Sequence, residues 1–544
     1  MSTTIFSKIT IFLSSQLIFF LSSYLQIEFP EGLEEKGVVI GYDGRHHSRS
    51  FAEITAAVFL SEGVRVRLFS VLVPTPFVPY AVLSLGAAAV VMVTASHNPK
   101  QDNGYKVYWA DGCQIVEPRD RGIASQIAAN LCPWPGVGPS LSTLRGDGPR
   151  SPLLQDPSAE VQESYMRRIS SELCRSKAAN ASAAGPRIAF TPMHGVGGRW
   201  MALAFEAFGL QPFVPVPEQM EPDAEFPTVA FPNPEEGKGA LMLAMKAAEA
   251  AGAPLILAND PDADRLAVAE RDGEGGWRIF TGNEVGALLA GHAWAQFREV
   301  HPEEPAESCF MVNSTVSSKF IQAMAAQEGF QYVETLTGFK WIGSKALALY
   351  AEGKRFLLGF EEAIGFLVGT MGWDKDGIRT GAVLAEMAVQ LYASGSTLQQ
   401  KLEELYQKYG YFVSQNSYFF NHDPAVMYRI FDRLRSLGPD GYPSACGAFA
   451  IAGVRDLATG LDSTREDGRA VLPVSSSSPM TTFYFANGAV ITLRGSGTEP
   501  KLKYYAEMHG PVRQPVVEEL SRLVASFVED FIQPQPNNLK PPAH

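Results

Sequence analysis

The chain has 544 residues, of which 46% are hydrophobic and 19% charged, and a mass of 59.1 kDa. This is a globular composition; it excludes a disordered or collagen-like chain and, at about 150 residues per domain, predicts three or four domains. The formal charge of −13 excludes broad nucleic-acid binding, which needs a basic face, but leaves room for a small anion held by local cations.

Ile9–Ile27 is apolar but broken by serines, with Lys8 before it and no A-x-A site after it. It reads as a buried or artefactual segment rather than a leader or anchor. Val38–Asp43 is a buried-strand run, Phe51–Leu60 a helix, and Val64–Ser70 and Ala88–Ser96 two more strands. This βαβ rhythm predicts a parallel sheet with active groups at the carboxyl ends of its strands. Pro-rich Cys132–Ser140 marks a boundary.

A second series follows, with strands at Arg187–His194, Leu255–Asp260 and Arg265–Arg271 and a helix at Gly239–Gly252. A third has helices from Asn283, at Ser317–Gly329, Thr380–Ala393 and Thr397–Tyr409, with strands at Phe310–Asn313 and Phe356–Phe360. The last block, from about Phe412, is less helical. It carries strands at Ala489–Arg494 and Leu502–Met508 and a terminal helix near Val516–Phe531; Ser475–Ser478 is a loop. The expected domains are 1–145, 150–279, 280–410 and 411–544. The fold class is α/β: three related α/β/α domains with mixed, largely parallel sheets, then an α+β domain.

Five cysteines (Cys113, Cys132, Cys174, Cys309, Cys446) are odd in number and widely spaced, without a CxxC pair. Neither a disulfide framework nor a zinc cluster is indicated, and the setting is reducing and cytoplasmic.

Three segments carry chemistry. In Thr94–Tyr108 (TASHNPKQDNGYKVY) a strand delivers Ser96 into a polar turn, followed by His97 and Lys106. A hydroxyl so placed suits phosphoryl acceptance and donation. In Asn259–Glu270 (NDPDADRLAVAE), Asp260, Asp262 and Asp264 alternate after a strand and suit a hard cation such as Mg²⁺. Uncompensated, the three charges would repel. The glycine that an EF-hand loop needs at its sixth position is missing, which weighs against Ca²⁺ sensing. Arg265 is placed to hold a phosphate. In Leu493–Tyr505 (LRGSGTEPKLKYY), a Gly/Ser/Thr turn flanked by Arg494, Lys501 and Lys503 offers a phosphate cradle, but not a Walker A loop.

Together with PNPEEGKG (Pro232–Gly239), TGNE (Thr281–Glu284), ETLTGFKWIG (Glu334–Gly343), FEEAIGF (Phe360–Phe366) and DKDG (Asp374–Gly377), these segments resemble the α-D-phosphohexomutase superfamily. The resemblance is greatest to its phosphoglucomutase-2 branch, which holds phosphopentomutase and glucose-1,6-bisphosphate synthase enzymes. It runs from about residue 37 to the C-terminus.

The resemblance implies a mutase moving phosphate between C1 and the terminal hydroxyl of a hexose or pentose phosphate. Ser96 would be the phosphoserine and, with Asp260, Asp262 and Asp264, would hold Mg²⁺. Glucose-1,6-bisphosphate would be activator and intermediate. Arg45, His97 and Lys106 would serve catalysis, with His194 a rival to Lys106 for proton transfer. Arg265, Thr337, Gly338, Lys340, Glu361 and Lys375 would bind the sugar phosphate, and Arg494, Ser496, Gly497 and Thr498 its distal phosphate. Pro261 replaces the usual glycine of the metal loop, as in the phosphoglucomutase-2 branch. Ala363 replaces a serine common in the family, which implies altered sugar choice.

The expected partners are small sugar phosphates, with no nucleic acid and no membrane, and the chain is expected to be a monomer. Three rivals stand beside the mutase. One is a bisphosphate synthase fed by 1,3-bisphosphoglycerate, and another a metal-dependent phosphatase. The third is an inactive truncated paralogue, because no TAGLR-like segment precedes the first strand.

Overall fold

The computed structural model describes residues 21–129, 141–142, 144, 151–181, 185–421, 423–438, 441–475, 478–496 and 500–542. The predicted boundary at Cys132–Ser140 lies outside these residues, as do the middle two serines of Ser475–Ser478. The chain forms two compact units. One comprises Met1–Ser314 and Thr337–Lys401, the other Thr315–Leu336 and Leu402–His544. Thr315–Leu336 lies inside the third predicted domain, yet it belongs with the C-terminal unit.

The first unit contains three mixed sheets. The first is built from β1 (Val38–Tyr42), β2 (Val66–Leu68), β3 (Ala89–Val93), β4 (Tyr105–Trp109) and β5 (Leu154–Gln155), in the order β4-β3-β1-β2-β5. Its pairs are parallel except β3–β4. Every residue of β1 and β3 is buried, as expected of β-branched runs covered by helices on both faces. Residues 21–28 are helical, and Leu21, Tyr24 and Leu25 join the core of this sheet, while Ile27 is exposed; the rest of the Ile9–Ile27 segment lies outside the described residues.

The second sheet contains β6 (Ile188–Thr191), β7 (Val214–Pro215), β8 (Leu255–Ala258), β9 (Ala267–Arg271) and β10 (Trp277–Phe280), in the order β10-β9-β8-β6-β7. Here β8–β9 and β9–β10 are antiparallel. In the third, β11 (Cys309–Ser314) runs parallel to β13 (Arg355–Glu361), which turns back into β14 (Gly365–Leu367). The helix Gly282–Val300 leads into this sheet. It starts at a capping box in which the Thr281 hydroxyl and the Glu284 carboxylate satisfy each other's backbone N–H groups.

The second unit includes β12 (Gln331–Thr335) and an antiparallel sheet. That sheet contains β15 (Tyr411–Phe420), β16 (Ala445–Cys446), β17 (Phe449–Asp456), β18 (Leu461–Asp462), β19 (Met480–Phe485), β20 (Val490–Gly495) and β21 (Lys501–Gly510). The order is β15-β21-β20-β19-β17-β16, with β18 on β17. Along β21, Leu502, Tyr504, Ala506 and Met508 alternate inward onto the helix Arg513–Phe527. No helix among the described residues is long and apolar enough to cross a membrane.

Candidate active site

Three strand ends of the first unit supply the site. β3 stops at Val93, earlier than the strand expected through Ser96, and the chain turns. Ser96 takes a left-handed φ of 51°, and its N–H donates to the Thr94 hydroxyl at 2.8 Å. That conformation costs a non-glycine residue energy. It presents the hydroxyl, which donates to Asp260 Oδ2 at 2.9 Å. His97 Nδ1 lies 3.4 Å from Ser96 Oγ.

Beyond β8, Asp260, Asp262 and Asp264 each offer an oxygen within 4.8 Å of the others, and all three are fully buried. The loop is pinned by its own backbone. Arg265 N–H donates to Asp260 Oδ1 at 3.0 Å, and the Asn259 amide donates to the Arg265 carbonyl at 2.6 Å. The Thr75 hydroxyl donates to Asp262 Oδ2 at 2.5 Å.

Two cations answer the three carboxylates. Lys106 Nζ sits 2.6 Å from both Asp262 and Asp264, and Lys375 Nζ lies 3.3 Å from Asp264. The repulsion expected of three bare carboxylates is therefore partly relieved without a metal, and that argument for one weakens. A better one is local: Asp262 Oδ1 and Asp264 Oδ1 are buried without a hydrogen-bond partner. Buried lone pairs of this kind call for a ligand. The donor set, carboxylate and hydroxyl oxygen, fits a hard divalent cation.

The electrostatics follow from this packing. Burial and the two neighbouring carboxylates push Asp260 well above the usual carboxylate range. Burial also works to raise Asp262, but the Lys106 ammonium overcomes it and holds that carboxyl below its usual range. The same pairing outweighs burial at Lys106 and keeps it protonated. A lysine so held is a poor general base, which counts against that part of its expected role. His194 accepts or donates at Thr228 Oγ1, 2.8 Å away, on the loop after β6; it shares no described hydrogen bond with Ser96.

Arg45 also differs from expectation. Its guanidinium donates to the backbone carbonyls of Ser96 (2.5 Å), Asn98 (2.6 Å), Pro99 (2.9 Å) and Asp102 (3.4 Å), and its Nε lies 3.3 Å from Asp43. It fixes the loop that carries Ser96 rather than facing the serine hydroxyl.

Arg265 leans toward Glu235 of the PNPEEGKG segment at 3.4 Å. Glu361 ends β13, and burial raises its carboxyl to about 7 against the pull of Lys375 and Arg265. Lys375 is aimed by Asp374, whose other oxygen accepts the buried Tyr108 hydroxyl at 2.6 Å. Thr337 and Gly338 lead into the helix Phe339–Ala351, and Lys340 Nζ lies 5.5 Å from the Trp341 ring centre. Arg494 and Ser496 stand at the end of β20 in the second unit. Gly497 and Thr498 lie outside the described residues. Thr75, Thr94, Asp43, Tyr108 and Asp374 escaped the sequence reading as site residues. Thr94 and Tyr108 bound the quoted segment Thr94–Tyr108, Asp43 ends the first strand run and Asp374 opens DKDG, so only Thr75 lay outside every segment singled out.

Family models described as phosphoglucomutase/phosphomannomutase alpha/beta/alpha domains I, II and III match residues 4–131, 163–275 and 281–409. The chain belongs to the phosphoglucomutase/phosphomannomutase family. The match to its first domain begins well before residue 37, where the motif resemblance started. Within the family, the chain is 46% identical over 532 residues to the phosphopentomutase of Homo sapiens, covering 96% of this chain and 86% of that protein. It is also 46% identical over 531 residues to the glucose 1,6-bisphosphate synthase of Homo sapiens, covering 95% and 84%. The phosphoribomutase of Saccharomyces cerevisiae is 41% identical over 517 residues, covering 90% and 81%. Among solved structures, the Paramecium parafusin (phosphoglucomutase) in its open form aligns with a TM-score of 0.71 at 18% identity, covering 98% and 93%. The putative phosphomannomutase from Thermus thermophilus gives 0.68 at 22%, covering 95% of each chain. These two likenesses concern the fold alone.

Proposed function

We propose that the chain is a phosphosugar mutase. It moves phosphate between C1 and the terminal hydroxyl of a hexose or pentose, interconverting glucose-1-phosphate with glucose-6-phosphate and ribose-1-phosphate with ribose-5-phosphate. The observation that carries this is the Ser96 hydroxyl, 2.9 Å from a buried aspartate triad and backed by Lys106.

In the active form Ser96 carries a phosphoryl group. The bond from phosphorus to Ser96 Oγ breaks as a bond to a sugar hydroxyl forms, and that hydroxyl gives up its proton. The bisphosphorylated sugar then reverses in the site, and its other phosphate returns to Ser96. Lys106 holds its proton and counters charge on the moving group. His97 is placed beside Oγ to take or return a proton. Ser96, Asp260, Asp262 and Asp264 would hold Mg²⁺, which when bound neutralises charge on the phosphoryl oxygens.

Arg265, Thr337, Gly338, Lys340, Glu361 and Lys375 would read the sugar and its near phosphate. Arg494, Ser496, Gly497 and Thr498 would grip the phosphate that is not reacting. Glucose-1,6-bisphosphate would prime the serine. The unpaired cysteines Cys113, Cys174, Cys309 and Cys446 suit a cytoplasmic enzyme, which we take to act as a monomer.

Equal identity to a phosphopentomutase and to a glucose 1,6-bisphosphate synthase favours one second reading, a synthase loading Ser96 from 1,3-bisphosphoglycerate. The Ser96→Ala variant is expected to fold like the parent and to lose all turnover of glucose-1-phosphate and ribose-1-phosphate with Mg²⁺ and glucose-1,6-bisphosphate. Retained turnover would end the mutase reading. Turnover in the parent only with 1,3-bisphosphoglycerate would select the synthase.

A further inference from the structure

The loop that follows β7 makes contacts that the proposed chemistry does not use. Phe226 is buried, with a left-handed φ of 45°, a conformation that bulky residues avoid. Its ring lies against Arg45, with the guanidinium carbon 5.1 Å from the ring centre. The approach is also close four residues earlier in the loop, where a Cβ on Gly44 would meet the Pro222 side chain at 3.1 Å. Next to Phe226, Glu225 accepts from His46 at 2.6 Å and Lys100 at 2.5 Å.

We propose that Phe226 is a positioning residue for the nucleophile: its ring fixes the Arg45 guanidinium, and Arg45 fixes the Ser96 loop. A guanidinium has a donor-rich edge and two bare faces. Here the two terminal nitrogens are taken up by four backbone carbonyls and Nε faces Asp43 at 3.3 Å without a hydrogen bond, while a flat face is what the guanidinium offers to a ring. An aromatic ring is suited to that face, and a desolvated cation–π contact is the stronger kind. The neighbouring ion pairs weigh less, because Glu225, His46 and Lys100 are about half exposed.

The benefit is electrostatic. This inference rests on the mutase reading, in which Ser96 carries a phosphate of nearly two negative charges. Carbonyl oxygens turned toward that phosphate would repel it. Carbonyls held by Arg45 cannot turn.

Two measurements test this on the full chain. Amide hydrogen exchange across residues 94–103, with strand 89–93 as internal reference, reads the clamp whether or not the enzyme turns over. Phe226→Leu is expected to speed exchange in 94–103 by about tenfold and to lower kcat by a similar factor, while KM stays within about twofold. Phe226→Tyr, which keeps the π face, should restore both. In an Arg45→Lys background, which loses the planar fork, Phe226→Leu should add little. If Phe226→Leu destabilises the whole domain, the reference strand also speeds up, and the excess of 94–103 over that strand then reads the clamp; no excess overturns it. Parent-like exchange in 94–103 in Arg45→Lys or Phe226→Leu overturns the clamp, as does equal loss in Phe226→Tyr or full additivity with Arg45→Lys. If the parent itself shows no mutase turnover, the functional reading fails, and the exchange data still decide the clamp.

Discussion

Glu361 shows how far one side chain can depart from its ordinary chemistry. Burial raises its carboxyl to about 7, although Lys375 and Arg265 both pull the other way. The folded protein therefore holds this proton more tightly than the unfolded chain. Between the usual carboxylate range and about 7, the contribution of Glu361 to stability falls as pH rises. Glu361→Gln removes the titration and keeps the shape. Its unfolding free energy from urea titration is expected to match the parent's near pH 4 and to exceed it at pH 8, by up to roughly 3 kcal/mol. Denaturation curves at the two pH values check this; a constant gap would show that Glu361 ionises normally. The residue was legible in FEEAIGF only through resemblance, because nothing in one sequence reports burial. The same limit hid Thr75, whose hydroxyl meets Asp262 across the site, 187 positions away in the chain.

At the scale of elements, the strands that position the site were the readable part. β1, β3, β8 and β13 are short apolar runs ending in polar turns, and the predicted spans overlap the observed ones. β15 was not readable: all but one residue of Tyr411–Phe420 is half-buried, so neither an alternating nor a fully apolar pattern marks it. Close backbone packing was equally invisible. Gly195 and Gly377 both pack closely against the loop of the aspartate triad. A Cβ would meet the Pro261 Cα at 2.3 Å from Gly195, and the Arg265 carbonyl oxygen at 2.2 Å from Gly377. Gly377→Ala must therefore displace the loop. It is expected to weaken Mg²⁺ binding about tenfold or more and to cost about 1–3 kcal/mol of stability. A calorimetric titration with Mg²⁺ checks this, with Gly239→Ala as control because a Cβ there meets nothing within 4 Å. Equal affinities in both variants would show that the loop yields without moving the aspartates.

Across the whole molecule, chain order and compact units disagree, and one buried network explains how. The C-terminal unit takes in Thr315–Leu336 from mid-chain. Glu334 of that segment accepts from Arg455 of β17 at 2.8 Å and from Lys319 at 2.7 Å. Arg455 also donates to the Thr315 hydroxyl at 2.5 Å, and Lys319 N–H to Glu507 of β21 at 2.8 Å. Burial works to raise the Glu334 carboxyl, but the two cations hold it down to about 2. Its contribution to stability is therefore complete above the usual carboxylate range and is lost as pH falls toward 2. Glu334→Gln leaves Lys319 and Arg455 without their shared counter-charge. Because the side chain keeps 22% of its exposure, the cost should fall at the low end for a broken buried pair, about 3 kcal/mol. Hydrogen exchange in β17 reads it directly and should speed up by about a hundredfold at pH 7. The gap between parent and variant should close progressively as pH falls from about 4.5, where the unfolded chain's carboxyl takes up its proton, toward 2, where the folded one does. Replacing all three charges together, Lys319→Met, Glu334→Leu and Arg455→Met, should recover much of the loss, because no uncompensated charge is then left behind. A triple variant as unstable as Glu334→Gln would mean that the hydrogen bonds to Thr315 and within β12, rather than charge balance, hold the mid-chain segment to the C-terminal sheet.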